Sequence, residues 1–405
     1  MLSFIRKYHV LVILMAGYAT MWIDKNLISL VVIPLSEEFN LTKTQLGMLM
    51  SAYSLGYALV SLPGGMLSDR FGYKKVILGC MIISAIVCTV FPFASVLILF
   101  ILIRFLLGVS HGSIPSSSAK AIALNYEKDK RVMVQSVWFM GGSLGGLISA
   151  YVGSRIIAVD WHYAYYAVAV CYAISAVLIV LFLKDIKLAE QNRQMQQNGK
   201  VKANKSSQLS LLRNKNVLIL SIGVFAFNMV LNGSIWFPTF LKGKYGLDLV
   251  TIGSIQTAIY FITIATPPLC GYLSSKLFNN REPLFIFLSA IVSACCYASF
   301  SLTHSLTLVV IAFGISSFTS MFTFITIKNL PHKIIPEDNI ATTMGLITAI
   351  SSLGGFTAPI FLGFIVDKSG SSFDYAYYSL AALILIGGFI CMLFINQKEN
   401  KQEIN

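Results

Sequence analysis

The chain has 405 residues, of which 56% are hydrophobic and only 12% are charged, and its formal net charge is +13. Soluble globular domains have roughly 45–50% apolar and about 25% charged residues. The composition therefore excludes a soluble multidomain protein, whose outer faces would need more polar side chains than this chain has. Most of its surface must face lipid.

Apolar stretches of about 20 residues, the length that a helix needs to cross a bilayer, recur along the whole chain. They are longer than the strands of a membrane barrel and lack the alternating pattern of such strands. We therefore predict an all-α integral membrane protein with twelve transmembrane helices. The predicted spans are residues 8–34, 45–67, 76–92, 96–119, 133–155, 162–183, 216–240, 250–275, 283–301, 305–327, 340–366 and 375–396.

The positive charge is concentrated on one predicted face of the membrane. If Met1 starts in the cytoplasm, 22 of the 30 lysines and arginines lie in cytoplasmic segments and five lie on the opposite face. This asymmetry follows the positive-inside rule and predicts that both termini are cytoplasmic. It also explains the net charge without a nucleic-acid partner. The seven cysteines all lie in apolar stretches without metal-ligand spacing, so we expect no metal site and no cofactor.

A polar interval over residues 185–215 divides the spans into two groups of six. We interpret it as a cytoplasmic linker between an N-terminal bundle (1–184) and a C-terminal bundle (216–405). Short motifs recur at nearly one offset in the two halves: GMLSDR at 65–70 and GYLSSK at 271–276, then SLGG at 143–146 and at 352–355. The repeat predicts two pseudo-symmetric bundles, the usual architecture of secondary transporters that work by alternating access.

The loop after the second predicted helix reads GMLSDRFGYKK over residues 65–75. It resembles the signature loop of the major facilitator superfamily in spacing and in position between helices two and three. The resemblance implies a gating latch at the cytoplasmic end, where a carboxylate attracts a nearby helix N-terminus. The candidate gating residues are Gly65, Asp69, Arg70, Gly72 and Lys74. The second copy has Ser275 in place of the acid, so the latch should be asymmetric.

The first predicted helix reads MWIDKNL over residues 21–27, and four further segments stand at 54–58, 104–108, 236–241 and 354–359. Within that superfamily, these segments are similar to the pattern of the anion:cation symporters, which include bacterial sugar-acid carriers. Two departures stand out. Lys25 replaces the usual arginine, which keeps the charge and changes the geometry. His111 stands where the family commonly has a glutamate, so a proton-carrier role does not transfer to it directly.

Three charged residues, Asp24, Lys25 and Arg104, lie inside predicted helices, where ionisable groups are costly and usually functional. The first helix runs outward and the fourth runs inward, so all three share a depth of roughly 12–15 Å from the outer face at 1.5 Å per residue. Adjacent positions on a helix point about 100° apart. We therefore expect one of Asp24 and Lys25 to pair with Arg104 or a neighbouring helix while the other borders the cavity.

The charges and the polar helix residues together give a candidate site. The net charge of +1 suits a carboxylate bound by Lys25 or Arg104. Asp24 is the only carboxylate inside a predicted helix, and its protonation would release its cation, with His111 able to take the next step. Lys120 and Lys328 are expected to extend to the cytoplasmic surface. The remaining candidate substrate ligands, which would bind hydroxyl groups, are Tyr57, Asn228, Asn232, Gln256, Tyr260 and Ser352.

The sequence thus predicts a monomeric carrier in a bacterial inner membrane that imports a small organic anion with protons and is not an enzyme. Three other readings stay open at this point. A proton-coupled drug exporter is one, although residues 141–153 lack the proline that such exporters usually carry. A carrier of a neutral amino acid or sugar is possible if the charges are structural, and so is a membrane receptor that transports nothing.

Overall fold

The computed structural model of the chain describes residues 2–127, 130–183, 215–264, 266, 269, 281–330 and 337–394. Every regular element in these ranges is helical, which confirms the predicted fold class. The helices are α1 (Leu2–Glu38), α2 (Lys43–Phe71), α3 (Tyr73–Val90), α4 (Leu97–His111), α5 (Ile114–Asn125), α6 (Arg131–Ile148), α7 (Ser154–Val159), α8 (Trp161–Phe182), α9 (Lys215–Gly233), α10 (Phe237–Tyr245), α11 (Leu249–Thr263), α12 (Glu282–Leu302), α13 (Leu306–Asn329), α14 (Glu337–Lys368) and α15 (Asp374–Phe394).

Within the described ranges, ten helical segments are long and apolar enough to cross a membrane. Helix α2 adds an eleventh if its two parts, bent by 54° between Ser61 and Pro63, form one span. Proline removes a helical hydrogen bond and clashes with the preceding turn, which accounts for a bend at this position. The predicted span at 250–275 begins with the 15-residue helix α11, and its second part lies outside the described residues.

Local sequence signals explain several helix ends. Thr42 and Gln45 form a capping box at the start of α2, and Asp160 and Asp248 cap α8 and α11 through their carboxylates. Gly72 separates α2 from α3 with φ of 88°, a left-handed value that glycine adopts without steric cost. The turn in the predicted gating loop therefore depends on this glycine.

The described helices form two compact units, one containing α1–α8 with α10 and α11, and the other containing α9 with α12–α15. In the first unit α1 packs along α6, and α2 packs along α4. Helix α11 packs on α6 and α7. A Cβ atom built on Gly253 of α11 would lie 2.1 Å from Ser154 Oγ, so the two backbones are very close. The sequence-based boundary at 185–215 stays a prediction.

The second unit packs α9 against α14 and α12 against α13 and α15. The two SLGG motifs occupy equivalent places in their own units. A Cβ on Gly145 of α6 would lie 2.3 Å from the Ala19 carbonyl oxygen of α1, and a Cβ on Gly354 of α14 would lie 2.6 Å from the Phe225 carbonyl oxygen of α9. Small residues allow such close approach of membrane helices, so the sequence repeat corresponds to a repeated helix crossing.

Candidate functional site

The structure brings Asp24 of α1 and Arg104 of α4 together in the first unit. Arg104 Nη1 donates to Asp24 Oδ1 over 3.3 Å, and the two side chains are 1% and 0% exposed. Each charge stabilises the other, because removing one of them would leave an uncompensated charge buried away from water. The depth argument from the sequence placed both residues at one level, and in the structure they form an ion pair.

The ion pair leaves part of the carboxylate without a partner. Asp24 Oδ2 is buried and receives no hydrogen bond from the described residues. On the other side of the pair, the Tyr53 ring lies 5.0 Å from the Arg104 guanidinium carbon, within the range of a cation–π contact. The open carboxylate oxygen is a position that a proton could occupy without displacing a donor.

Lys25 occupies the position next to Asp24 on α1, about 100° around the helix, and is not part of the ion pair. Its Nζ atom lies 4.3 Å from the centroid of the Trp22 ring, and the residue is half-buried. No carboxylate oxygen of the described residues lies within 4.0 Å of this ammonium group. The site therefore has a neutral ion pair and one additional cation.

His111, at the end of α4, is fully buried between two tyrosines. Its Nδ1 atom lies 2.9 Å from the Tyr53 hydroxyl and its Nε2 atom lies 2.8 Å from the Tyr172 hydroxyl. A neutral imidazole has one donor and one acceptor nitrogen, and a hydroxyl can serve either, so both ring nitrogens are satisfied without charge. Tyr53 contacts both His111 and Arg104 and thereby links the imidazole to the ion pair.

Three predicted substrate ligands of the first unit lie near α1 or its neighbours. The Tyr260 hydroxyl donates to Asn26 Oδ1 over 2.9 Å, which joins α11 to the residue after Lys25. Gln256, one turn earlier on α11, is buried. Tyr57 stacks on Tyr53 with ring centroids 6.2 Å apart. The structure thus connects Tyr57 and Tyr260 to residues next to the charged group.

In the second unit, Asn228 and Asn232 of α9 form a polar cluster with Ser351 of α14. The Asn228 amide donates to Ser351 Oγ, and the Asn232 amide donates to Asn228 Oδ1. The predicted ligand Ser352 bonds instead to the Thr348 carbonyl oxygen of its own helix over 2.9 Å. Because the two serines are adjacent on a helix, only one of them joins this cluster.

Two residues of the predicted gating segment, Ser68 and Asp69, are bound by Lys120 of α5. Lys120 of α5 is buried and forms an ion pair with Asp69 Oδ1 over 2.9 Å, and its ammonium also donates to the Ser68 carbonyl oxygen over 3.1 Å. The Lys120 ammonium thus reaches Asp69, whose side chain is 61% exposed, and its extension to the cytoplasmic surface stays a prediction. Lys74 donates to the Val180 carbonyl oxygen of α8 over 3.2 Å. The Lys328 side chain lies outside the described residues.

Two further gating candidates have simpler surroundings. The Arg70 guanidinium carbon lies 5.3 Å from the neighbouring Phe71 ring. Gly65 has room for a side chain, because the nearest neighbouring atom to a Cβ built there is Ser116 Cβ, at 4.0 Å. Among the described residues, no group of three or more histidine, cysteine, aspartate or glutamate side chains could hold a metal ion.

Sequence reasoning missed three residues of this site: Trp22, Asn26 and Tyr172. Trp22 and Asn26 flank the two charges in the MWIDKNL segment, and this position was a signal that could have identified them. Tyr172 lies in an apolar run of α8 with no polar neighbour close in sequence. Nothing in the sequence indicated that it contacts His111.

These features define a multi-pass membrane protein with an ion pair and an additional cation in its membrane helices. The family model of the Major Facilitator Superfamily matches residues 14–359, and the chain belongs to that superfamily. This confirms the resemblance inferred from the loop at 65–75.

Several known proteins with similar sequences carry the names of anion transporters. A hexuronate transporter of Bacillus subtilis is 24% identical over 405 aligned residues, with 95% of this chain and 94% of the relative covered. A probable sulfoacetate transporter of Cupriavidus necator is 23% identical, with 96% and 94% covered. The fold is similar to that of a bacterial homologue of the human lysosomal transporter Spinster, solved in an inward-facing and occupied conformation. Its TM-score is 0.76 at 18% identity, with 95% of this chain and 96% of that chain covered.

Proposed function

We propose that this protein is a secondary active transporter that imports a small organic anion, a carboxylate or sugar acid, together with protons by alternating access. The observation that carries the proposal is the Lys25 ammonium, which follows Asp24 on α1, lies over the Trp22 ring and has no carboxylate partner among the described residues. A cation at membrane depth is costly unless an anion compensates it. A transported carboxylate would supply that anion.

The ion pair suits a coupling role. Asp24 Oδ2 has no donor among the described residues, and a proton bound there would remove the negative charge that holds Arg104. The sequence also predicts a coupling role for His111, which in the structure reaches the ion pair only through Tyr53. We therefore propose that the transported proton resides on Asp24. Proton binding and anion binding then act on adjacent residues of one helix.

The names of the relatives support the substrate class. Hexuronate and sulfoacetate, which those names give as cargo, are both small organic anions. Hydroxyl groups of a sugar acid would find hydrogen-bond partners in the predicted ligands Tyr57, Gln256 and Tyr260 of the first unit. The relatives are bacterial, and together with the positive-inside asymmetry this supports an inner membrane location with cytoplasmic termini.

Uptake into liposomes containing the purified protein tests this function. The probe is radiolabelled D-galacturonate, driven by a pH gradient that is acidic outside. We expect Lys25→Gln to abolish saturable uptake. The matched control is Lys368→Gln, because Lys368 is also a lysine close to an aromatic ring, 5.8 Å from Phe364, but is exposed at the end of α14. Uptake by Lys25→Gln at the wild-type rate would refute the assignment of Lys25.

The coupling assignment has a separate test. Asp24→Asn should abolish accumulation against a gradient while exchange of labelled for unlabelled anion continues, because a permanently neutral side chain resembles the protonated state. Arg104→Lys should impair both, since lysine lacks the forked geometry of the guanidinium group. Gradient-driven accumulation by Asp24→Asn at the wild-type level would contradict a proton site at Asp24.

A further inference from the structure

We infer that the first unit contains a movable arm, made of residues 62–71 of α2 and 113–125 in and before α5, that pivots as one body at two facing helix breaks. The inference concerns the mechanics of this unit and goes beyond the proposed function, because it depends neither on the cargo nor on its coupling. It follows from the contacts that α2 makes with α4 and α5 along their length.

The two breaks have the same chemical cause. Pro63 has no N–H group to donate to the Leu59 carbonyl oxygen of α2, and α2 is bent by 54° next to it. Pro115, in the first turn of α5, has none to donate to the His111 carbonyl oxygen at the end of α4. Helix α4 ends at His111 and α5 begins three residues later. Each of these two paths through the membrane is therefore weakened at one point.

The breaks in α2 and between α4 and α5 face each other. A Cβ built on Gly64 would lie 2.7 Å from the Ser113 Cα, and one on Gly112 would lie 3.1 Å from the Ser61 nitrogen. A straight helix resists bending of a neighbour packed this closely, because protein interiors leave little room for a shift. Since both helices are broken at one level, the segments that follow can turn together.

On the side of the breaks towards the predicted outer face, α2 and α4 form a tight crossing. A Cβ on Gly56 would lie 2.2 Å from the Phe105 carbonyl oxygen, and one on Gly108 would lie 2.0 Å from the Tyr53 carbonyl oxygen. Glycines at such positions bring helix backbones into direct contact. This crossing is the fixed side of the pivot.

On the other side, an ion pair joins the two segments of the arm. The Lys120 ammonium of α5 donates to Asp69 Oδ1 over 2.9 Å and to the Ser68 carbonyl oxygen over 3.1 Å. The packing between the segments is looser here than at the crossing, because a Cβ on Gly65 would lie 4.0 Å from its nearest neighbour, Ser116 Cβ. Lys120 therefore provides the connection that makes the two segments turn as one body.

The second half of the chain differs at the position of the second proline. The SLGG motifs at 143–146 and 352–355 are 209 residues apart, and this offset pairs Pro115 with Phe324. Phe324 lies inside α13, which is continuous from Leu306 to Asn329. Facing breaks of this kind are therefore a property of the first unit and not a general consequence of the duplication.

Distances between nitroxide spin labels test the arm in the full-length protein in lipid nanodiscs, with the seven native cysteines replaced by alanine. One label is attached at Val159→Cys, at the end of α7. The second is attached in the arm, at Met66→Cys or Ala119→Cys, or at Val177→Cys of the unbroken helix α8 as a control, and all four positions are exposed.

The geometry sets the expected size of the effect. Residues 62–71 span about 15 Å at 1.5 Å per residue, so a pivot of about 20° moves the end of the arm by about 5 Å. We expect both arm distances to be distributed about 5 Å more broadly than the control distance. Arm distributions as narrow as the control would overturn the pivot. Broadening at Met66→Cys alone would overturn movement as one body.

Restoring the backbone bonds should remove the effect. Pro63→Ala combined with Pro115→Ala should narrow both arm distributions to the width of the control. The matched control is Pro34→Ala, because Pro34 also lies inside a helix, α1, but outside the arm, and this variant should leave the broad distributions unchanged. Arm distributions that stay broad in the double variant would overturn the assignment of the pivot to the two prolines.

The ion pair has its own variant. Asp69→Ala removes the carboxylate that Lys120 binds, and we expect the Met66→Cys distribution then to become broader than the Ala119→Cys distribution. Arg70→Gln, at the exposed neighbouring position, should leave the two widths equal. Equal widths in Asp69→Ala would overturn the role of the ion pair. The measurement uses no cargo, so its outcome is separate from that of the uptake experiments.

Discussion

Lys120 Nζ lies 2.9 Å from Asp69 Oδ1, and this ion pair joins α5 to the last turn of α2. The two partners are unequally placed, because the lysine side chain is 6% exposed and the aspartate side chain is 61% exposed. Removing either partner therefore leaves a different group without its counter-charge. The motif loop is tied within its own unit by a residue about 50 positions later in the chain.

This asymmetry gives a stability prediction for the loop. Asp69→Asn should destabilise the protein by about 2 kcal/mol, because it leaves the buried Lys120 ammonium without a counter-charge. Lys120→Met should cost less than about 1 kcal/mol, because the apolar stem still packs and the exposed aspartate returns to water. Thermal unfolding in detergent measures both. A larger loss for Lys120→Met would contradict the assigned burial.

The repeated helix crossings predict strong effects of single methyl groups. Gly145→Ala and Gly354→Ala should each destabilise the protein by about 1–3 kcal/mol, since the new Cβ would overlap a carbonyl oxygen of the facing helix. Gly314→Ala is the control. It is also a helical glycine, but a Cβ there has no atom within 4 Å, so alanine should be neutral or stabilising by up to about 1 kcal/mol.

The yield of monodisperse protein and its unfolding temperature separate these glycine variants. Equal behaviour of Gly145→Ala and Gly314→Ala would show that α1 and α6 are farther apart than the structure has them.

The buried ion pair predicts a non-additive double mutant. Arg104→Gln alone should cost up to about 3–5 kcal/mol, because Asp24 loses its counter-charge in a buried place, and Asp24→Asn should cost a similar amount. The double variant carries no charge at either position and should be more stable than at least one single variant. Transport should be lost in the double variant. Additive losses in thermal unfolding would argue against direct pairing.

Asp160, in the loop before α8, predicts a pH dependence. Hydrogen bonds from the His162 backbone and side chain lower the pKa of Asp160 below its usual 3.8. A carboxylate with a lowered folded-state pKa stabilises the protein fully above its unfolded-state pKa, and this contribution is lost as the pH falls through the folded-state pKa. Asp160→Asn keeps the capping acceptor but does not titrate.

The difference in unfolding temperature between wild-type protein and Asp160→Asn should therefore be constant above about pH 5 and should shrink below about pH 4. A difference that grows on acidification would have the wrong sign for a capping carboxylate.

The sequence predicted the membrane depth of the charged residues more reliably than the direction in which their side chains point. Helix rise and chain direction placed Asp24 and Arg104 at one depth, and this was sufficient to bring them within range of each other. Which neighbour of Asp24 would face the cavity depended on the rotation of α1. The same rotation of about 100° per residue separates Ser351, which joins the asparagine cluster, from Ser352, which donates to a carbonyl of its own helix.

Partners chosen by tertiary packing were harder to predict. Lys120 lies one helical turn from a cytoplasmic loop, and a flexible side chain there can reach water or a neighbouring acid equally well. The contact between His111 and Tyr172 requires knowing that α4 and α8 face each other at that level. The packing of α11 with the first unit likewise followed from neither the linker position nor the repeat.

The paired glycine crossings have an evolutionary consequence. If the two halves descend from one duplicated gene, the approach of α1 to α6 and of α9 to α14 has been retained in both copies, whereas the acid of the loop motif survives only in the first, at Asp69, with Ser275 in the second. The two halves thus share the glycine crossing, whereas the acid of the loop motif is present in the first half and replaced by serine in the second. An ancestor reconstructed from the two halves would be expected to keep the glycines at both crossings and to differ mainly in its charged residues.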